Sequence, residues 1–303
     1  MENKIIASLY ITKNSTLLVV LEKKEYFYKL IYIKKISKPI NLNEQIITQN
    51  SNVAIKEIKE ILQQFSISHI FVTLGTDYYI STNIPGSVID RNNFLKLVDL
   101  SIKQHYSDKN VADFRIKSIP LHLENQMELV FIISKEIILA IDNIGKILEH
   151  QIYDINPAPI SAINSYMYNY IDAMPERTML VQLINNIFEF IIITNKKVIG
   201  IEYCADENDI SEAIETKIGQ IIDDYSIDIS SIYFYGDKLN KQNYLKCWQS
   251  TMLYDIATNR LNALRLINCD LDKRDKEYCM RMFHIYNSCI GAALPNQLNI
   301  SVF

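Results

Sequence analysis

"QQFSISHIFVTLG", residues 63–75, and "DDYSIDISSIYFYG", residues 223–236, decide how this chain is read. Each has a polar helix end, a serine-bearing turn and an apolar run rich in Ile, Phe or Tyr. Each then stops at one glycine, Gly75 or Gly236. Short β-branched and aromatic runs closed by glycine are strand signals. What precedes each stretch is also alike. In the first half "KIIASLYI", "TLLVVL" and "YFYKLIYIKKI" are apolar runs joined by the polar turns "TKNS" and "EKKE". Ile55, Ile58, Leu62 and Phe65 then recur at helical spacing. In the second half "RTMLVQLI", "IFEFIIIT" and "VIGIEYC" are joined by "NN" and "NKK". Ile210, Ile214, Ile218, Ile222 and Tyr225 form the stripe that follows. A shared order of five elements reads as an internal duplication of a β-β-β-α-β unit, and the fold class as α/β. In the third strand, alternation predicts Tyr26, Tyr28, Leu30 and Tyr32 on one face.

Between the halves lies extra material. "DYYISTNI", "DFRIKSIPL" and "MELVFIIS" read as strands. "DRNNFLKLVDLSIKQHY" reads as a helix capped by Asp90, and "KEIILAIDNIGKILEH" as another. The expected division is a first half at 1–78, an inserted α+β subdomain at 79–153 and a second half at 154–303. After Gly236, "LYDIATNRLNAL" is loop-like and "DKEYCMRMFHIYNSCIGAAL" predicts one buried closing helix.

Composition narrows the function. The 303 residues carry a net charge of −4 with 49% apolar and 22% charged residues, which fits a soluble globular chain. A net negative charge argues against a nucleic-acid partner. The lysines of "LEKKEYFYKLIYIKK" sit at strand ends beside Glu22 and Glu25, so they do not form a basic patch. Five cysteines without a C-x-x-C pair predict reduced, mostly buried thiols, and scattered histidines predict no metal site. No apolar run approaches the roughly 20 residues that span a bilayer, and no secretion signal is readable, so the cytoplasm is expected. Trp248 reads as a half-buried surface residue, and Asp99 and Asp142 as wet-face carboxylates.

The duplicated unit resembles the actin-like (ribonuclease H-like) ATPase fold. The order of elements in the insertion is similar to the PilM family of type IV pilus assembly proteins and to the related FtsA arrangement. The resemblance rests on "YYISTNIPGSVIDRNNFLKLVDLSIKQHY", "ADFRIKSI" and "LVFIISKEIILAIDNIGKILEH". It rests also on Asp154, Pro157 and Ala162 in "YDINPAPISAI", and on the closing "SCIGAAL". In that fold two hairpin turns, one per half, clamp phosphates with Asp-x-Gly, and a later Gly-Gly supports the adenosine. The resemblance puts Tyr10 and Thr12 at the first Asp and Gly places, with Lys13 and Asn14 in the turn. It puts Gln182 and Ile184 at the second, with Asn185 and Asn186 in the turn. Gly236 and Asp237 stand at the Gly-Gly place. Both carboxylates are replaced, and a neutral amide is a poor ligand for Mg²⁺. Gly236 then reads as the remnant of a nucleotide site. No bound cofactor is expected, with Mg-ATP the alternative.

The resemblance implies a non-catalytic scaffold, a pseudo-ATPase. It would hold the cytoplasmic tail of a single-pass membrane partner in a pilus- or secretion-type machine, and would reach the inner face of the membrane through that partner. Two alternatives stay open: a weak ATP-binding or ATP-hydrolysing enzyme of the same fold, and an unrelated α/β binding module; a homo-oligomer is compatible with the scaffold role. The expected partner site is a groove between the first half and the insertion. Tyr26, Tyr28 and Tyr32 would line one side, and the inserted sheet, through Arg115 and Ile116, the other.

Overall fold

The computed structural model describes residues 4–25, 27–42, 49–85, 91–122, 127–173, 177–184, 187–205 and 209–302. Tyr26, Asp90, Asn185 and Asn186 lie outside them. The first half opens with strands β1 (Lys4–Ile11), β2 (Thr16–Lys23) and β3 (Tyr28–Lys35), helix α1 (Gln49–Leu62) and strand β4 (Ile67–Leu74). The middle supplies β5 (Ile80–Pro85), α2 (Arg91–His105), β6 (Phe114–Pro120), β7 (Met127–Ser134), α3 (Lys135–Leu148), β8 (Ile152–Pro157) and α4 (Ala158–Asn169). The second half has β9 (Arg177–Ile184), β10 (Ile187–Thr194), β11 (Lys197–Ala205), α5 (Ile210–Tyr225), β12 (Ser231–Tyr235), α6 (Lys241–Thr251) and β13 (Ala257–Arg260). The chain closes with β14 (Asn268–Cys269), α7 (Lys273–Met282), α8 (Asn287–Ala293) and β15 (Ser301–Val302).

The two large sheets share one plan. The first runs β14-β3-β2-β1-β4-β8 and the second β11-β10-β9-β12-β13. In each, three antiparallel strands are followed by two parallel ones, and Gly75 and Gly236 follow the equivalent strands β4 and β12. The central strands are apolar on both faces, as sheets covered by helices on both sides require. The segment read as loop-like supplies β13, because Ala257–Arg260 pairs with β12 through its backbone and needs no apolar alternation.

Packing regroups the middle of the chain. Ile137, Ile141, Ile144 and Leu148 of α3 bury with Ile55, Ile58 and Leu62 of α1 in the core of the first half. β8 pairs with β4. The range 79–153 therefore includes a helix, α3, and the first two residues of a strand, β8, that pack with the first half. The inserted sheet, β15-β6-β7-β5, is covered on one face by Phe94, Val98 and Ile102 of α2. Its other face buries Ile119, Leu129 and Phe131 against α4 and the second half. The sheet thus wedges between the halves, with neither face open. One buried cation fixes it there. Lys117 Nζ, on β6, donates to Asp154 Oδ1 at 2.7 Å and Asn156 Oδ1 at 2.9 Å, both on β8.

Two expectations fail for backbone reasons. β3 carries a bulge: Val20 opposes Tyr32 while Leu21 opposes Leu30, leaving Ile31 as the extra residue. The bulge reverses the alternation. Tyr28 packs with Leu30 and Ile33 in one core, and Tyr32 packs against Phe65 on the other side. The tyrosines do not share a face. The closing segment is also two helices, α7 and α8, separated by a 3₁₀ turn at Phe283–Ile285. The break lets α8 lie against α4, so close that a Cβ on Gly291 would meet Ser161 O at 1.7 Å.

Asp154→Ala leaves the buried Lys117 ammonium with an amide partner alone. Losing one member of a fully buried pair costs about 3–5 kcal/mol. Asp154 is 38% exposed, so the expected loss in denaturant unfolding is about 2 kcal/mol. A loss below about 0.5 kcal/mol, the size of an ordinary surface substitution, contradicts the pinning role.

Candidate functional site: a closed cleft and an open groove

The first hairpin turn is satisfied by its own atoms and by Asp77. Thr12 Oγ1 accepts the N–H groups of Ser15 at 2.9 Å and Asn14 at 3.3 Å. The Lys13 N–H donates to Asp77 Oδ2 at 3.1 Å, and the Lys13 and Asn14 side chains are exposed. Two residues before this turn, Tyr10 points across to the second half. Gln182 Nε2 donates to the Tyr10 hydroxyl at 3.2 Å, with the two residues 2% and 6% exposed. The residues that the resemblance aligned with an aspartate in each half therefore touch each other directly.

Gln182 belongs to a level row across four strands. Tyr203, Glu189, Gln182 and Tyr235 are successive register partners on β11, β10, β9 and β12. Glu189 is fully buried, and the Tyr235 hydroxyl lies 3.5 Å from its Oε1. Ser81 Oγ, from the inserted sheet, reaches the Tyr203 hydroxyl at 3.1 Å. Burial pushes the Glu189 carboxyl up to about 8, against hydrogen bonds from Tyr203 and Tyr235 that favour its ionised form. Burial raises Tyr10 as well, so the phenol stays neutral.

Gly236 answers to packing. Its φ is +112°, its N–H donates to His284 O at 3.1 Å, and a Cβ there would stand 2.3 Å from Leu183 O. Only glycine fits a turn pressed this closely on β9. Asp237 beside it is exposed. Burial, then the Arg260 charge, lowers the His284 imidazole to about 4, so His284 is neutral at this turn near pH 7. These residues do not fit a magnesium-bound phosphate. Mg²⁺ needs hard anionic oxygen, whereas a phenol and an amide bonded to each other occupy the two aligned places. Asp77 is already engaged with the Lys13 N–H.

A groove opens elsewhere, between α3 and the inserted sheet. Its cavity of about 470 Å³ is bordered by Tyr78, Tyr79 and Ile80 where the chain leaves the first half. Tyr106, Phe114 and Ile132 border it from the insertion, and Ile137, Leu139 and Ala140 from α3. Leu139 is 60% exposed, unusual for a leucine on a helix facing a cavity. Lys109 bridges the mouth, 3.1 Å from Glu136 at the start of α3 and 5.5 Å from the centre of the Tyr106 ring.

The residues expected at a partner site are placed differently. Tyr28 stands edge-on to Tyr168 at 5.7 Å in the core, and Tyr32 packs on Phe65. Neither borders the groove. Ile116 is buried in the core of the inserted sheet, and exposed Arg115 borders a second cavity along β6. The tyrosines that do border the groove are Tyr78, Tyr79 and Tyr106. Their signal was position: the "DYY" after Gly75 and the Tyr that follows α2 mark the joints of the insertion.

Glu189 gives this arrangement a pH signature. The native state keeps a proton that the unfolded chain releases near pH 4.5, so the stability this proton confers is complete below that value. It is then lost as pH rises toward 8. Glu189→Gln keeps the shape and removes the titration. Between pH 5 and pH 8.5 the wild type is expected to lose a few kcal/mol that the variant keeps, about 5 °C or more in melting temperature. Parallel pH profiles would show that Glu189 is not buried as described.

No protein-family model matches the chain, and no curated protein matches it. Solved structures do. The PilM–PilN type IV pilus biogenesis complex matches with a TM-score of 0.71 at 10% identity, over 95% of this chain and 97% of that one. A Bacteroides thetaiotaomicron protein with an actin-like ATPase fold and unknown function matches with a TM-score of 0.53 at 9% identity. That likeness covers 88% of this chain and 93% of that one. With its duplicated sheets, inserted subdomain and closed cleft, the chain has a PilM-like, actin-like ATPase fold.

Proposed function

We propose that this chain is a non-catalytic scaffold that binds the cytoplasmic tail of a membrane partner in a pilus- or secretion-type assembly machine. The observation that carries the reading is a contrast. A direct Tyr10–Gln182 hydrogen bond joins the halves at the places aligned with acidic ligands, while a cavity of about 470 Å³ stands open between α3 and the inserted sheet. Its volume lies within the roughly 300–1,000 Å³ of ligand pockets. Its border mixes aliphatic side chains with tyrosines, which supply apolar area and a polar tip to an extended peptide. The structural neighbour with a TM-score of 0.71 is itself a complex, of PilM with PilN, and this supports the analogy. No helix among the described residues is long and apolar enough to cross a membrane. Attachment would run through the partner, on the cytoplasmic side. No nucleotide is required for this role. Weak ATP binding is the alternative, and it requires Tyr10 and Gln182 to part.

The test is a pull-down with the tail of a single-pass membrane protein encoded beside this chain. Leu139→Arg and Ala140→Arg place a charge in the groove from the exposed and half-buried side of α3, where folding tolerates it. Variants shown folded by circular dichroism are expected to bind the tail at least tenfold more weakly, about 1.4 kcal/mol. Folded variants that bind as tightly as wild type would remove the groove from the account.

A further inference from the structure

The second cavity lies at a strand edge. The short strand β15 pairs antiparallel with β6, Ser301 opposite Ser118 and Val302 opposite Lys117. From Val302 the same direction leads along Ile116, Arg115 and Phe114. No strand among the described residues pairs with that part of β6 on its outer side. A cavity of about 570 Å³ lies there, bordered by all three of these consecutive residues. Successive side chains of a strand point to opposite faces. A cavity that touches three in a row therefore borders the edge of the strand, with its unpaired N–H and C=O groups.

The chemistry around this edge is one-sided. Leu95, Val111, Ile138 and Val302 give an apolar floor. The charged residues that border it are Arg91, Arg115 and Lys135, and no carboxylate is among its described lining residues. Lys135 Nζ donates to a neutral acceptor, Ala112 O, at 2.6 Å. The adjacent Asp113 is turned back to the N–H of Asn110 in a capping box, and Asp99 is paired with Lys103. A positive, apolar-floored edge in a chain of net charge −4 selects its complement.

We propose that Phe114–Ile116 accepts, in trans, an extended acidic segment of a partner protein. The segment prolongs the run of β15 along β6. Its backbone adds to the sheet, its alternate apolar side chains cover the floor, and its carboxylates meet Arg115 and Lys135. This surface shares Phe114 with the groove between α3 and the inserted sheet but stands independently of the function proposed for that groove. The chain's own β15 shows that the edge accepts a strand in this direction.

The test uses the full chain and fluorescein-labelled octapeptides, read by fluorescence anisotropy at low salt. A peptide alternating valine and glutamate is expected to bind at least tenfold more tightly than one alternating valine and lysine. The same preference is expected over a Val–Glu peptide interrupted by a central proline, which cannot complete the ladder. The charge preference should shrink at about 1 M salt, where screening acts within about 3 Å. Amide hydrogen exchange of residues 114–116 should slow on binding. In the double variant Arg115→Glu, Lys135→Glu, shown folded by circular dichroism, the charge preference should reverse. The proposal fails if no peptide binds, if the Val–Glu and Val–Lys peptides bind equally, or if proline makes no difference. It also fails if the edge proves to be occupied by a second copy of the chain, seen as a dimer that these variants dissolve. Neither variant position borders the groove, so this failure is separable from failure of the pull-down.

Discussion

The hydrogen bond from Gln182 to the Tyr10 hydroxyl is the contact on which the rest of this molecule turns. Two sheets of the same plan lie on either side of it, and each contributes a residue near the end of its first strand, one residue before Ile11 in β1 and two before Ile184 in β9. Burying a phenol and an amide without partners would cost roughly 1–3 kcal/mol each, so each group needs the other. Their meeting ties the first strands of the two halves together, at the places that the resemblance aligned with acidic ligands. The row Tyr203–Glu189–Gln182–Tyr235 extends the same logic across the second sheet. A carboxyl held neutral by burial is stable among hydroxyls, where an ionised one would lack a cation.

The inserted sheet is held by a different device. It has apolar cores on both faces, one under α2 and one toward the second half, and a buried lysine that pins it to β8. Ser81, bonded to Tyr203, ties the same sheet to the buried row. This packing positions the sheet side of the groove beside α3. A pre-organised groove loses less entropy on binding an extended peptide than one that must form around it.

Much of this was legible in the sequence because duplication is a long-range signal. Five elements recurring in order survive errors in any one of them, and the matched stretches ending at Gly75 and Gly236 mark equivalent strands. The absence of aspartate at positions 10 and 182 is a matter of residue type, and it becomes a statement about ligands only through the resemblance. The misses were local backbone events. Nothing in "YFYKLIYIKK" announces that Ile31 is extruded, yet that single bulge moved Tyr32 to the face opposite Tyr28. The sequence neighbourhood of α3 suggested the insertion, while its isoleucine stripe faces α1. Glu189 is a single carboxylate in the apolar run "IFEFIIIT", and nothing in that run marks it as buried. It shares the face of its register partners Tyr203 and Tyr235, which pack in the core formed with the insertion and α4. The tyrosines of the groove come from three separate segments, so no periodicity joins them.

The central claim is that the cleft of this actin-like fold is closed to nucleotide, and isothermal titration of Mg-ATP into the intact chain tests it most directly. The account predicts no saturable heat up to about 1 mM, a binding free energy weaker than about −4 kcal/mol. A saturable isotherm with micromolar affinity would mean that Tyr10 and Gln182 separate to admit phosphate. The chain would then be an ATP-binding member of its fold and not a scaffold.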